Sequence, residues 1–347
     1  MGILSQRVPA KLHWPETIRS WLGASTACSG VKGDLDWFKK ELQLTSYNAN
    51  APCEYDNCCK NTLPSNDPMN FGPTCMWKKN LLTPEQWGAQ TVNMHPLFKA
   101  FAFLSCWNIE CDELHILWLG VAQYLLGSVL WLMTFAGKKR KRSGYSHQDA
   151  LLDAWAAVEN HGSCQFTSMT TKMFVNPQKT HREYPKRKGR GGQVKSLVYP
   201  LCHAWASTMR VNNEFDLNVL KCLEALLWMA DILGETGREL FLPKDDHIKF
   251  VDATQTLLDT YTWLGVECDR KGLLLFSAAP KLHWLWHLAH RSYFLHPRRV
   301  ACWLDERVMK HMITLALFST RGVPRHKVPA SFMARYRYAV TIDAKGL

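Results

Sequence analysis

The sequence reads as an α-rich α/β protein, and three observations lead there. Apolar residues recur at helical spacing through most of the second half of the chain, as in Leu217 to Leu233 and Ile248 to Leu264. Strand-like runs are confined to the first 35 residues and to 163–175. The composition, 47% hydrophobic and 21% charged over 347 residues, suits a packed chain rather than a disordered one. That length allows two or three domains.

Residues 1–50 combine a short helix, Pro15 to Leu22, an extended stretch, Ala24 to Lys32, and a second helix from Asp36 to Leu44. Between 50 and 90, Pro52, Pro64, Pro68, Pro73 and Pro84 break any long element, so the segment is expected to be loop-rich. A long apolar helix follows over 112–137, then His147 to Asn160, with Leu151, Leu152, Trp155 and Val158 on one face. Residues 176–195 lack periodicity and are rich in Lys, Arg, Pro and Gly, which predicts an exposed, mobile loop. Asp305 to Phe318 is the last strong helical pattern. No repeat of fixed period is present.

A net charge of +12 directs attention to anionic partners, nucleic acid first and an acidic membrane surface second. The N-terminus lacks an apolar core after a basic start, which argues against a secretory signal. Several of the twelve cysteines (Cys202, Cys222, Cys302) sit in apolar helical patterns and read as buried thiols of a reducing compartment. From Ile116 to Gly137 no residue is charged, and Lys138, Lys139, Arg140, Lys141 and Arg142 follow at once. That pattern fits a single membrane span with a basic cytoplasmic flank. Gln123, Ser128 and the glycines within it favour a buried helix instead.

Five groups could carry chemistry. Asp34, beside Gly33 at the end of an expected strand, could present its carboxylate to a hard cation such as Mg²⁺, or cap the next helix. Cys53, Cys58, Cys59 and Cys75 form a tentative zinc set, although no histidine lies between Cys28 and Cys75. Asp112 and His115 share a helical face at the head of the apolar helix. His283, His287 and His290 follow Pro280-Lys281 at helical spacing; with no acid interleaved, they are read as packing residues or phosphate contacts rather than ligands. Asp305 and Glu306 stand just before Lys310 and His311. Phosphate loops, dinucleotide fingerprints, HExxH and Gly-x-Ser-x-Gly are all absent.

The order of these clusters resembles DDE transposases of the CACTA/Plavaka type, from about Gly33 to about His311. The resemblance implies a partial RNase H-like core interrupted by a large all-helical insertion. Its implied divisions are a core piece at 1–50, a Cys/Pro-rich module at 51–95, the insertion at 96–300, and a C-terminal helix at 301–347. In that family three carboxylates hold two Mg²⁺ or Mn²⁺ ions for phosphoryl transfer. Asp34 matches the second carboxylate and Glu306 the last, with Asp305 as the fallback. Cys53 and Cys58 match a cysteine pair, more widely spaced here, and Asp112 with His115 matches an Asp-x-x-His motif.

The sequence departs from the family at the first carboxylate, since Asp34 is the first Asp of the chain. The resemblance therefore implies a DNA-binding protein that cuts poorly or not at all. Lys138 to Arg142 and Lys186, Arg187, Lys188 and Arg190 are its expected double-stranded DNA contacts, the first run also serving as a nuclear localisation signal. A homo-oligomer fits that reading.

Overall fold

The computed structural model describes residues 30–345 except 91–93, 102, 137–145, 163 and 177–181; within 304–311 and 339–345 it describes the backbone alone. The expected helix at Pro15 to Leu22, most of the extended stretch 24–32, and the Lys138 to Arg142 run lie outside the described residues. The chain divides into two compact units, one up to Ala301 and one from Cys302 onward.

The first unit is helix-rich around a minimal sheet. Strand β1 (Val31–Gly33) pairs in parallel with β2 (Ile109–Cys111), in the register Val31↔Ile109 and Gly33↔Cys111. Asp34, directly after β1, then caps α1 (Leu35–Glu41), its carboxylate accepting from the Trp37 amide at 2.6 Å. Strand β2 falls inside 96–300, the stretch expected to be all-helical. No strand forms at 163–175 among the described residues; a 3₁₀ turn, Thr171–Met173, takes its place.

Two short helices, α2 (Pro84–Gln90) and α3 (Pro96–Ala100), close the loop-rich module. Scattered loop bonds, such as Met76 N to the Ser65 carbonyl, and one bridge, Asp56↔Leu81, tie that module together in place of a strand ladder. Side chains add to them: Trp77 Nε1 donates to the Asn70 carbonyl at 3.1 Å, and Trp87 Nε1 donates to the buried Glu54 carboxylate at 2.7 Å.

The apolar helix begins with a nine-residue π-helix, Leu114–Ala122, and continues as α4, Gln123–Phe135. Leu114–Phe135 is long and apolar enough to cross a membrane, and 78% of its most apolar window is buried inside the fold. Helices α5 (His147–Asn160) and α6 (Gly191–Thr208) pack against it. Next come α7 (Glu214–Glu235) and α8 (Lys244–Asp269), a hairpin whose Val219, Cys222, Leu226, Met229 and Leu233 face Phe250, Leu257, Tyr261 and Leu264 in the core. The short, almost wholly buried α9 (Lys281–Arg291) runs between α8, the π-helix and β2. Arg291, at its end, reaches the β2 carboxylate Glu110 at 2.7 Å and the Trp107 carbonyl at 2.8 Å. A last short helix, α10 (Pro297–Val300), completes the unit.

The basic stretch departs from the expectation of an exposed loop. It ends at Arg190, where α6 begins, and its middle lies on α4. A Cβ at Gly127 would stand 2.8 Å from the Pro185 carbonyl, so only glycine admits this backbone. The Arg187 amide bonds the Gln123 carbonyl at 2.8 Å, and the Arg187 side chain, fully buried, stacks on Phe166 with its guanidinium 3.7 Å from the ring centroid. Arg187 is therefore no DNA contact; Lys188 and Arg190 are exposed and Lys186 half-buried.

The second unit is a helical hairpin of α11 (Trp303–Thr320) and α12 (Val328–Lys345), turned at Gly322 with φ +69°. Asp305 and Glu306 lie in the first turn of α11; their side chains fall outside the described set.

Burial sets a pH limit on the first unit. His290 is buried against Trp286 and pushed down to about 3; His296 is pushed down to about 4 by burial, with Arg298 and Arg299 adding to the shift. His296 Nδ1 accepts the Arg298 amide at 3.1 Å, a bond that protonation would remove. Both folded values lie below the unfolded value of 6.5, so the folded state prefers the neutral rings. Stability from this source is complete above that value and is lost as pH falls below it, by about 1.4 kcal/mol per pH unit per histidine. Urea melts should show the midpoint dropping between pH 7 and pH 5, and dropping less in His296→Gln. An unchanged midpoint would contradict the assignment of buried neutral rings.

Candidate metal centre and strand-end carboxylates

Two groups of functional side chains emerge, and α9 contributes to both. The first is wholly buried. Cys53 and Asp56, from the loop-rich module, meet His283 and His287, one turn apart on α9, with all four ligand atoms within 4.8 Å of one another. His283 Nε2 and His287 Nε2 stand 3.2 Å apart, facing the same point. Asp56 Oδ2 lies 3.0 Å from the first and 2.8 Å from the second. Cys53 Sγ is 3.4 Å from His287 Nε2, and Cys58 Sγ is 3.7 Å from His283 Nε2.

These separations can be set against a tetrahedral ion. Zinc–sulfur bonds of about 2.3 Å and zinc–nitrogen bonds of about 2.0–2.1 Å put nitrogen ligands about 3.3 Å apart and sulfur about 3.5 Å from nitrogen. His283, His287 and Cys53 fit that spacing, and Asp56 completes the set of four, one oxygen within reach of both rings and the other accepting the Cys58 amide at 2.8 Å. The tautomer of His283 is set from outside, by the Pro68 carbonyl 3.0 Å from its Nδ1.

In the metal-free protein a proton on His283 balances the buried carboxylate. Burial opposes ionisation of Asp56, yet the charge of the His283 ring and its hydrogen bond outweigh burial and hold the carboxyl far below its usual range. Burial also pushes His287 down to about 4 and the Cys53 thiol well above its ordinary value. Without metal, the centre is a carboxylate flanked by an imidazolium and protonated thiols. Metal uptake must expel those protons.

Sequence reasoning missed half of this centre. Cys59 and Cys75 are not part of it: Cys59 is half-buried, and Cys75 is buried elsewhere. His283 and His287 were expected to pack or bind phosphate because no acid is interleaved on their own helix; the acid comes from the distant Asp56. The His-x-x-x-His spacing was the available signal. His290 leaves the pair, donating to the Trp286 carbonyl at 2.8 Å.

The second group lies at the sheet. Parallel pairing in the Gly33↔Cys111 register puts Asp34 and Asp112 at the carboxyl ends of neighbouring strands. His115 Nδ1 bonds the Asp112 carboxylate, and its Nε2 stands 4.0 Å from Asp34 Oδ2. Asp112 is buried, whereas His115 and Asp34 reach solvent. Lys281, the first residue of α9, lies close enough to feel Asp34, Asp112 and Asp36. Burial pushes its ammonium down to about 8; Lys186 adds to the shift and the aspartates oppose it. Two motifs far apart in sequence are thus one group in space. Glu306 and Asp305 belong to the second unit.

No family model, curated protein or solved structure matches the chain.

Asp34 has both a capping and an electrostatic position, and the two are separable. Asp34→Ala should cost about 1 kcal/mol of stability through the lost cap, whereas Asp34→Asn, an equally good cap, should stay within a few tenths. Denaturant melts of the two variants measure this. An Asn variant as unstable as the Ala variant would show that the charge, not the cap, supports the fold.

Proposed function

We propose that the chain is a transposase-derived DNA-binding protein, built on a partial RNase H-like core and stapled by a structural zinc ion. The observation that carries this reading is the meeting of Asp34 with Asp112 and His115 at the ends of two parallel strands. The resemblance assigns these residues to a second carboxylate and an Asp-x-x-His motif. Carboxyl ends of parallel strands are where α/β sheets hold their chemistry, because side chains there converge on open space.

Cys53, Asp56, His283 and His287 would hold the zinc, with Cys58 beside them. Thiolates beside imidazoles favour Zn²⁺ over hard cations. Closed four-ligand sites of this kind serve structure rather than catalysis. By the resemblance, Asp34 would be a ligand of Mg²⁺ or Mn²⁺, which activates the attacking oxygen in phosphoryl transfer; the resemblance gives Glu306, or Asp305, the place of the last carboxylate. A lone strand-end carboxylate such as Asp34 holds two such ions poorly. Little strand cutting is expected. Exposed Lys188 and Arg190, with the Lys138 to Arg142 run, supply phosphate contacts and fit a nuclear protein.

The test uses the full chain purified without detergent. It should carry zinc by elemental analysis and bind a short duplex with an affinity that falls steeply with salt. Mn²⁺ should add little or no nicking of supercoiled DNA. Nicking lost in Glu306→Ala would overturn the inactive reading. Failure to bind duplex at low salt, or dependence on detergent, would overturn the DNA-binding one.

A further inference from the structure

The apolar helix presents a graded face. Asp112 and His115 stand at its head; Gly120 and Tyr124, four residues apart, follow along the same side. Each of the latter two carries a lysine from another part of the chain. Lys281, from the first turn of α9, lays its stem on Gly120, where a Cβ would come within 2.6 Å of Lys281 Cδ. Lys186, from the basic segment, places its ammonium 5.2 Å from the centroid of the Tyr124 ring.

The backbone around Lys186 is fixed, not loose. The Lys186 amide donates to the Phe174 carbonyl at 2.9 Å, and the next amide donates to Gln123 on α4. Both lysines are half-buried. Among the described residues neither forms a hydrogen bond through its ammonium or an ion pair. Two partly desolvated like charges on neighbouring stretches of one helix are unfavourable in the free protein, and Asp34, Asp112 and Asp36 offset only part of that cost at Lys281. An anion seated between them removes that cost.

We propose that Lys281 and Lys186 form a phosphate clamp, seated on Gly120 and Tyr124 beside the Asp34–Asp112–His115 group, that takes a phosphodiester of the DNA backbone. The proposal rests on the DNA-binding reading and deepens it. It gives Lys281 a role and ties one lysine of the basic segment to the strand-end group. The clamp reads charge and spacing only, so it contributes affinity and register without sequence preference.

Two measurements on the full chain test it. In the first, lysines are labelled with an amine-reactive reagent and read by peptide mass spectrometry, in inorganic phosphate and in chloride of equal ionic strength. Phosphate should protect Lys281 and Lys186 while leaving exposed Lys39 unchanged; equal labelling of both lysines in the two salts overturns the clamp. In the second, duplex binding is followed across a salt series for the wild-type chain, Lys281→Met and Lys186→Met. Each variant should weaken binding equally for unrelated sequences and lower the salt slope by about one. A wild-type chain that binds duplex while both variants keep its slope overturns the clamp and leaves the DNA-binding reading standing. A chain whose lysines are protected by phosphate but which binds no duplex keeps the clamp as a phosphate site, and the DNA reading falls.

Discussion

The first unit depends on one buried charge. Asp56 is an ionised carboxylate with essentially no access to water, and its partners come from the opposite end of the sequence, His283 and His287. An unpaired carboxylate at such depth would be far too costly to retain. The loop-rich module, which has almost no backbone ladder of its own, is therefore docked on α9 by the requirement that this charge be matched. Trp77 and Tyr55 pack their rings against the same histidines and exclude water from the contact. A zinc ion there would replace a proton-dependent arrangement with a stronger one on the same ligands.

From α9 the constraint passes to the sheet. Arg291 leaves the far end of the helix to pair with Glu110, while Lys281 at its start sits by the strand-end carboxylates. Tyr55, next to Asp56, hydrogen-bonds the Ile109 carbonyl of β2. The register that brings Asp112 beside Asp34 is thus held by the helix that the metal centre anchors. A two-stranded sheet of three residues each would not persist in isolation. Its place is set by side chains.

Much of the helical framework could be read from apolar spacing, which placed Leu217–Leu233 and Ile248–Leu264 inside α7 and α8. Asp34 and the Asp112–His115 pair were each legible as short local signals, but not their meeting, because β2 falls where only helix was expected. The metal centre was not legible. Cys53 and His287 are separated by more than two hundred residues, and nothing local in either segment marks the other as its partner. Cys59 and Cys75 lay nearer in sequence and drew attention for that reason alone. Arg187 shows the opposite error. Its charge and the surrounding Lys, Pro and Gly suggested a solvated loop, but Gly127 opens a slot on α4 that swallows the backbone. That slot is a property of two distant segments together.

Hydrogen exchange on the full chain, before and after removal of metal by a chelator, tests the central coupling most directly. If one ion joins the module to α9, amides in 51–82 and 281–291 should lose protection together on chelation and regain it when Zn²⁺ is restored. Protection that is unchanged by the chelator, or lost in only one of the two segments, would contradict the account.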